Sequence, residues 1–256
     1  MQIKWCGTAT LLVKTEKTTL AIDPYLHSLN TALPPVNAEE VKQADAVFIT
    51  HPHPDHFADI AAFLSEAPVY VSQNGIFHAA KKGIDTHTMS ALKAGDTHKI
   101  GDITLTVYQS RHCKFDLPLI LSKLFHPRTY LMANKAIMLL KQMREFPIGN
   151  DIYFFDIEAE GKHIFVMGSA GLDKATKYPK NADLLVLPYQ GRSDMAKYSL
   201  PIIKRLNPKR VLLDHYDNAF PPFTRTENTQ KIIGLARKEL PDLPVSPFVA
   251  GVWYEL

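Results

Sequence analysis

The run His51-Pro52-His53-Pro54-Asp55-His56 limits what this chain can fold into more than any other feature. It follows Ala46-Val47-Phe48-Ile49-Thr50, an apolar run that predicts a strand buried on both faces. Four ligand-type side chains therefore stand within six positions, directly after a strand. A strand end is rigid, and the short turn after it aims several side chains at one point. Histidines at i and i+2 of an extended segment point the same way. Pro52 and Pro54 fix their own φ and keep the residues before them extended. Imidazole and carboxylate suit zinc and similar divalent ions. Asp55 and His56 fall where the chain turns into the next helix, so they can face a neighbouring ion. A polar surface loop is the bland alternative, and so dense a donor set after a buried strand argues against it.

The rest of the chain supplies strands and helices in a definite order. Ile3–Trp5, Leu11–Val13 and Thr19–Ile22 predict paired strands. Ala58–Ser65 has helical spacing, Val69–Val71 reads as a strand and Gly75–Lys82 as a helix. Ile103–Val107 alternates strictly, which predicts a half-buried strand. Tyr153–Ile157 and Ile164–Met167 predict a hairpin about Glu160-Gly161. Leu184–Leu187 and Val211–Leu213 read as strands, with a helix over Leu200–Leu206 between them. Thr226–Leu240 predicts a helix capped by Thr226 and ended by Pro241. No internal repeat or linker is visible, and the Pro34-Pro35 loop is too short for a boundary. The expectation is one unit over residues 1–256, with a helical insertion at about 115–148.

Bulk properties exclude some classes. A net charge of +3 admits an anionic substrate but gives no clustered basic face for nucleic acid. Met1–Thr10 lacks a secretory leader's pattern, and no stretch of about 18 apolar residues predicts a membrane span. Cys6 and Cys113 read as free thiols, which places the chain in a reducing, cytoplasmic setting.

The six-residue run resembles the His-x-His-x-Asp-His signature of the metallo-β-lactamase superfamily. Lys4–Ala9 and Ala21-Ile22-Asp23-Pro24 resemble the family's opening strand with its glycine turn and its strand ending in Asp-Pro. The nearest likeness is to the branch holding ascorbate-6-phosphate lactonase and N-acyl phosphatidylethanolamine phospholipase D. The resemblance implies an α/β (α+β) fold, a four-layer αββα sandwich with the site at one edge. It implies that His112 and His215, each after a strand, complete two ligand sets: His51, His53 and His112, then Asp55, His56 and His215. It also implies a departure. After Gly168 most relatives carry an aspartate that bridges two metals, and here stands Ser169, an uncharged and poor ligand. The expectation is one firm zinc site and a weaker second, with manganese or iron as other occupants. Asp173 is an alternative source of the missing carboxylate, and an inactive relative is the bland reading.

A metal-activated water would hydrolyse an ester, lactone or similar carbonyl bond, with Asp55 orienting it or shuttling its proton. Phosphodiesters or phospholipids are the alternative substrates. An iron-bearing redox protein and a catalytically silent metal binder are the rivals from other classes. Leu117–Phe146 interrupts the strand rhythm just after His112. Leu117, Ile120, Leu121 and Leu124 share one helix face, and Leu131, Ile137, Leu140 and Met143 suggest another. Extra core, a homo-oligomer contact, a lid and an apolar wall for an amphiphilic substrate all fit. The segment shows no strong basic face of the membrane-binding kind. Arg111, Lys114, Arg128 and Arg192 are candidate holders of a substrate phosphate or carboxylate.

Overall fold

The structure is a computed structural model and describes residues 1–26, 38–64, 67–145 and 149–256. The Pro34-Pro35 loop, Ser65 and Phe146 lie outside them. In chain order the elements are β1 (Gln2–Gly7), β2 (Thr10–Lys14), β3 (Thr19–Ile22), α1 (Ala38–Lys42), β4 (Ala46–Phe48), α2 (Pro54–Phe57), β5 (Val69–Ser72), α3 (Gln73–Lys81), β6 (Met89–Leu92), β7 (Thr97–Ile100) and β8 (Ile103–Gln109). Then come α4 (Leu117–Leu124), α5 (Pro127–Leu131), α6 (Ala133–Glu145), β9 (Tyr153–Ala159), β10 (Lys162–Met167), β11 (Leu184–Pro188), α7 (Met195–Leu206), β12 (Val211–Asp214), α8 (Gln230–Glu239), β13 (Val245–Pro247) and β14 (Trp253–Glu255).

Among the described residues two seven-stranded sheets result, ordered β14-β1-β2-β3-β4-β5-β6 and β13-β12-β11-β10-β9-β8-β7. In each, an antiparallel stretch passes into a parallel one, at β3–β4 and at β10–β11. The pairing pattern thus repeats where the sequence shows no repeat, because backbone pairing asks for alternation and turns rather than particular residues.

Alternation sorts the side chains into three apolar layers. Leu11, Val13, Ile22 and Phe48 meet Leu105, Phe155 and Val186 between the sheets. Leu12, Val47 and Val69 face Val41, Phe57 and Phe63 on the helix side of the first sheet. Phe165, Leu185 and Leu213 face Ala196, Ile203 and Ile232 beyond the second. Helix, sheet, sheet and helix stack in the expected αββα order.

Several expected boundaries move. The helix expected over Ala58–Ser65 is instead α2, one turn made by the signature itself with Pro54 at its start, then a 3₁₀ turn over Ile60–Ala62. Pro54 fits there because a first helical turn needs no N–H. The last long helix begins at Gln230 after Thr229, so Thr226 is no cap. The preceding backbone is engaged elsewhere, with Glu227 N–H donating to Tyr216 C=O at 2.7 Å. The helix expected over Leu200–Leu206 starts earlier, at Met195, capped by Asp194. β6, β7 and β13 have no counterpart among the strands expected from sequence. The hairpin turn lies where expected, with Glu160 and Gly161 both at positive φ (53° and 69°).

Candidate metal centre

Backbone hydrogen bonding carries β4 beyond its last residue, with Ile49 N–H donating to Tyr70 C=O at 2.9 Å. His51 therefore leaves a fixed strand end. Thr50 is held from the side by Asp23, at the end of β3: Thr50 N–H donates to Oδ1 at 2.7 Å and Thr50 Oγ1–H to Oδ2 at 2.5 Å. With its hydrogen spent on Asp23, Thr50 Oγ1 accepts from His51 Nδ1–H at 3.1 Å. His51 Nε2 is left bare. His112 Nδ1 donates to Cys113 C=O at 2.8 Å, which bares its Nε2 as well. Fixing the tautomer through the other ring nitrogen is the usual support of a histidine ligand.

His51 Nε2 and His53 Nδ1 are 3.2 Å apart. A tetrahedral ion bound at about 2.1 Å sets its ligand nitrogens about 3.4 Å apart, so the spacing fits. One nitrogen from each of His51, His53 and His112 lies within 4.8 Å of the others. Burial and the neighbouring imidazoles hold His51 well below the ordinary imidazole range. Burial brings His53 down to about 3 and lowers His112 too. The cluster is neutral and offers lone pairs, which is what a divalent cation requires.

Asp55, His56 and His215 form the second cluster, also within 4.8 Å. Its electrostatics differ. His215 Nε2 donates to Asp55 Oδ2 at 2.9 Å. Burial would lower the His215 pKa, but the Asp55 bond and the nearby Asp217 and Asp214 raise it to about 9. Burial alone would raise Asp55, yet His56 and His215 hold it below the ordinary carboxylate range. His56 Nδ1 pairs with Asp23 Oδ2 at 2.8 Å, which makes Asp23 a common support for both clusters. A cation entering here must displace the His215 proton, whereas the first cluster has none to give up.

Two loops brace His112 and His215. Ser169 lines the cavity beside the clusters, and its Oγ accepts from Cys113 N–H at 2.9 Å. Ser110 Oγ–H donates to Gly171 C=O at 2.6 Å in the same zipper. His215 sits at φ 52° with its N–H on Thr8 C=O at 3.1 Å, and Thr8 N–H donates to Asp217 at 2.8 Å. The opening glycine turn thus holds the last histidine.

The two clusters floor a cavity of ≈ 390 Å³. Leu119, Ile120 and Leu124 of α4 and Leu139, Leu140 and Met143 of α6 supply much of its wall. Phe115, Phe220 and Phe223 add aromatic surface. The insertion contributes to the cavity wall; α4 and α5 bury no residue, while α6 buries Ala136 and Leu139. None of Arg111, Lys114, Arg128 or Arg192 lines the cavity. Arg111 pairs with Asp173 at 3.0 Å, and Arg192 with Asp116 at 3.5 Å. Asp173 is thereby engaged away from both clusters. The cation in the cavity wall is Lys123, half-buried on α4, where burial and Arg225 lower its pKa. Both cysteines are free, and burial raises Cys6 and Cys113 to about 11, so both stay thiols near neutral pH.

A family profile described as "Beta-lactamase superfamily domain" matches residues 2–215. The chain belongs to the beta-lactamase superfamily. It is 29% identical over 121 residues to a UPF0173 protein of Pyrococcus abyssi, a match spanning 46% of this chain and 53% of that one. The chain thus spans about half the length of that relative. It is 28% identical over 225 residues to a UPF0173 metal-dependent hydrolase of Thermus thermophilus, spanning 87% of this chain and 86% of the other. The metallo-beta-lactamase fold protein YhfI of Bacillus subtilis superposes with a TM-score of 0.64 at 16% identity, covering 100% of this chain and 98% of that one. That likeness concerns the fold, and it agrees with the layer order above.

Proposed function

We propose that this superfamily member is a metal-dependent hydrolase, one domain with its helical insertion forming the substrate wall. The observation that carries the reading is the convergence of three neutral imidazoles on the floor of an apolar cavity. His51, His53 and His112 would hold a firm ion; Asp55, His56 and His215 would hold a second one more weakly. Zinc is placed first because imidazoles dominate the set, with manganese or iron next. When bound, such an ion supplies a water of near-neutral pKa and a Lewis acid for a carbonyl or phosphoryl oxygen.

The chain's own groups do the rest. Asp55, kept ionised by His56 and His215, orients the attacking water through its carboxylate. The imidazoles remain neutral, so their lone pairs stay committed to the ion. The α4 and α6 side chains exclude bulk water, which strengthens each charge interaction at the floor. Lys123 holds an anionic group of the substrate near the wall. The substrate is accordingly a small amphiphile with an ester, lactone or similar carbonyl bond. A phosphoric ester is the second reading, favoured by Lys123. The free thiols fit a reducing, cytoplasmic setting.

Metal analysis of the purified protein and a hydrolysis panel test this. Zinc near one ion per chain, with turnover of p-nitrophenyl esters or lactones, is expected. Turnover of bis-p-nitrophenyl phosphate alone moves the substrate class to phosphoric esters. Tightly held iron without hydrolysis gives the redox reading, and bound zinc with no turnover gives the silent metal binder.

A further inference from the structure

The outer face of the insertion is a different matter from its inner wall. Leu117 (65%), Phe125 (74%), Tyr130 (67%) and Leu131 (85%) are exposed far beyond what a water-facing surface needs. Ile120, Leu124, Leu140 and Met143 line the cavity and are also exposed. Exposed apolar side chains therefore occur both in the cavity wall and on the outer side of the insertion. Nothing among the described residues covers it.

Charge says what does. Residues 114–145 contain six basic side chains and two acidic ones, a net +4 in a chain whose whole net charge is +3. The remaining residues together have a net charge of −1. The cations are pooled from α4, α5, α6 and Lys114, which precedes α4. On α6, Ile137, Lys141 and Arg144 stand at i, i+4 and i+7, one stripe that mixes an exposed apolar side chain with two cations. A second copy docking on this face by a two-fold would set positive charge against positive charge, which opposes association. An anionic, apolar-cored surface satisfies both features at once. No helix of the described residues is long and apolar enough to cross a membrane, so contact is along the surface.

We propose that the α4–α6 face docks the protein on the anionic surface of a phospholipid assembly, with the cavity mouth facing the lipid. The assignment concerns docking and stands or falls apart from the chemistry at the metal centre.

The test is co-sedimentation of the purified protein with sucrose-loaded vesicles. Binding is expected to vesicles of phosphatidylcholine mixed with phosphatidylglycerol, weakening steeply with added salt, and to be slight with phosphatidylcholine alone. The triple change Lys135→Glu, Lys141→Glu and Arg144→Glu, and separately Phe125→Asp with Leu131→Asp, should each lower the bound fraction by about tenfold. All five positions are exposed and lie outside the cavity wall, and an unchanged thermal melt establishes that each variant folds. No binding to the mixed vesicles, or equal binding to both kinds, overturns the proposal. So does a concentration-dependent dimer that Leu131→Asp abolishes, since the face then belongs to a second copy.

Discussion

At the scale of single residues, the two clusters are distinguished by protons. His51, His53 and His112 present bare nitrogens, whereas His215 carries a proton onto Asp55 at 2.9 Å. Ser169 contributes no charge to offset the repulsion of two nearby cations. Replacing Ser169 with Asp keeps an acceptor for the Cys113 N–H and adds a carboxylate beside both clusters. Zinc titration of apo-protein by calorimetry should then rise from about one ion per chain toward two. Two equal tight sites in the unmutated protein would show that serine is no handicap. Asp55→Ala should leave the first ion bound, since its three imidazoles are untouched. It should lower turnover on the order of 100-fold, the usual worth of a positioned acid–base group. Turnover close to the unmutated protein's would remove Asp55 from the chemistry.

Elements meet at the site through glycines. A Cβ on Gly168 would stand 2.1 Å from Thr50 Oγ1, at the point where the end of β10 crosses the end of β4. Thr50 is the hinge between Asp23 and His51, so a methyl there disturbs the ligand set as well as the packing. Gly168→Ala should cost about 1–3 kcal/mol in urea unfolding, as overpacking does, and weaken zinc binding in the same protein. Gly234, inside α8 with open space about it, is the contrast. There Ala should stabilise by about 0.5–1 kcal/mol through helix propensity, with zinc binding unchanged. Equal effects at the two positions would mean that the β10–β4 crossing is not what seats His51. The Gly7–Thr8 turn does similar service for His215 through a backbone bond that no sequence pattern announces.

For the molecule as a whole, ligands come from the turn after β4, α2, the loop after β8 and the loop after β12, so binding an ion ties both sheets together. Zinc at about a thousand times its dissociation constant should stabilise by about 4 kcal/mol. For a chain of this size that shifts Tm by roughly 10 °C. EDTA should remove the shift, and His53→Ala should show none; a chelator-insensitive melt would argue against a structural link between ion and sheets. The sequence by itself determined the signature, its place after a buried strand, the alternating strands and the apolar faces of the insertion. Each of these is local: period-two burial, proline φ and turn chemistry act within a few residues. Only the tertiary structure decided that Asp23 braces Thr50 and His56, that Ser169 holds the Cys113 peptide, and that Lys123 rather than Arg111 or Arg192 reaches the cavity. Those contacts join residues far apart in the chain, and a side chain's partner there depends on sheet stacking and loop closure. The late start of α8 and the short strands β6, β7 and β13 belong with them. Met-Ser-Ala-Leu, Thr-His-Lys-Ile and Val-Ser-Pro lack the apolar, β-branched runs that mark the equally short β4, β5 and β12, and it is the neighbouring strand's open edge that makes them strands.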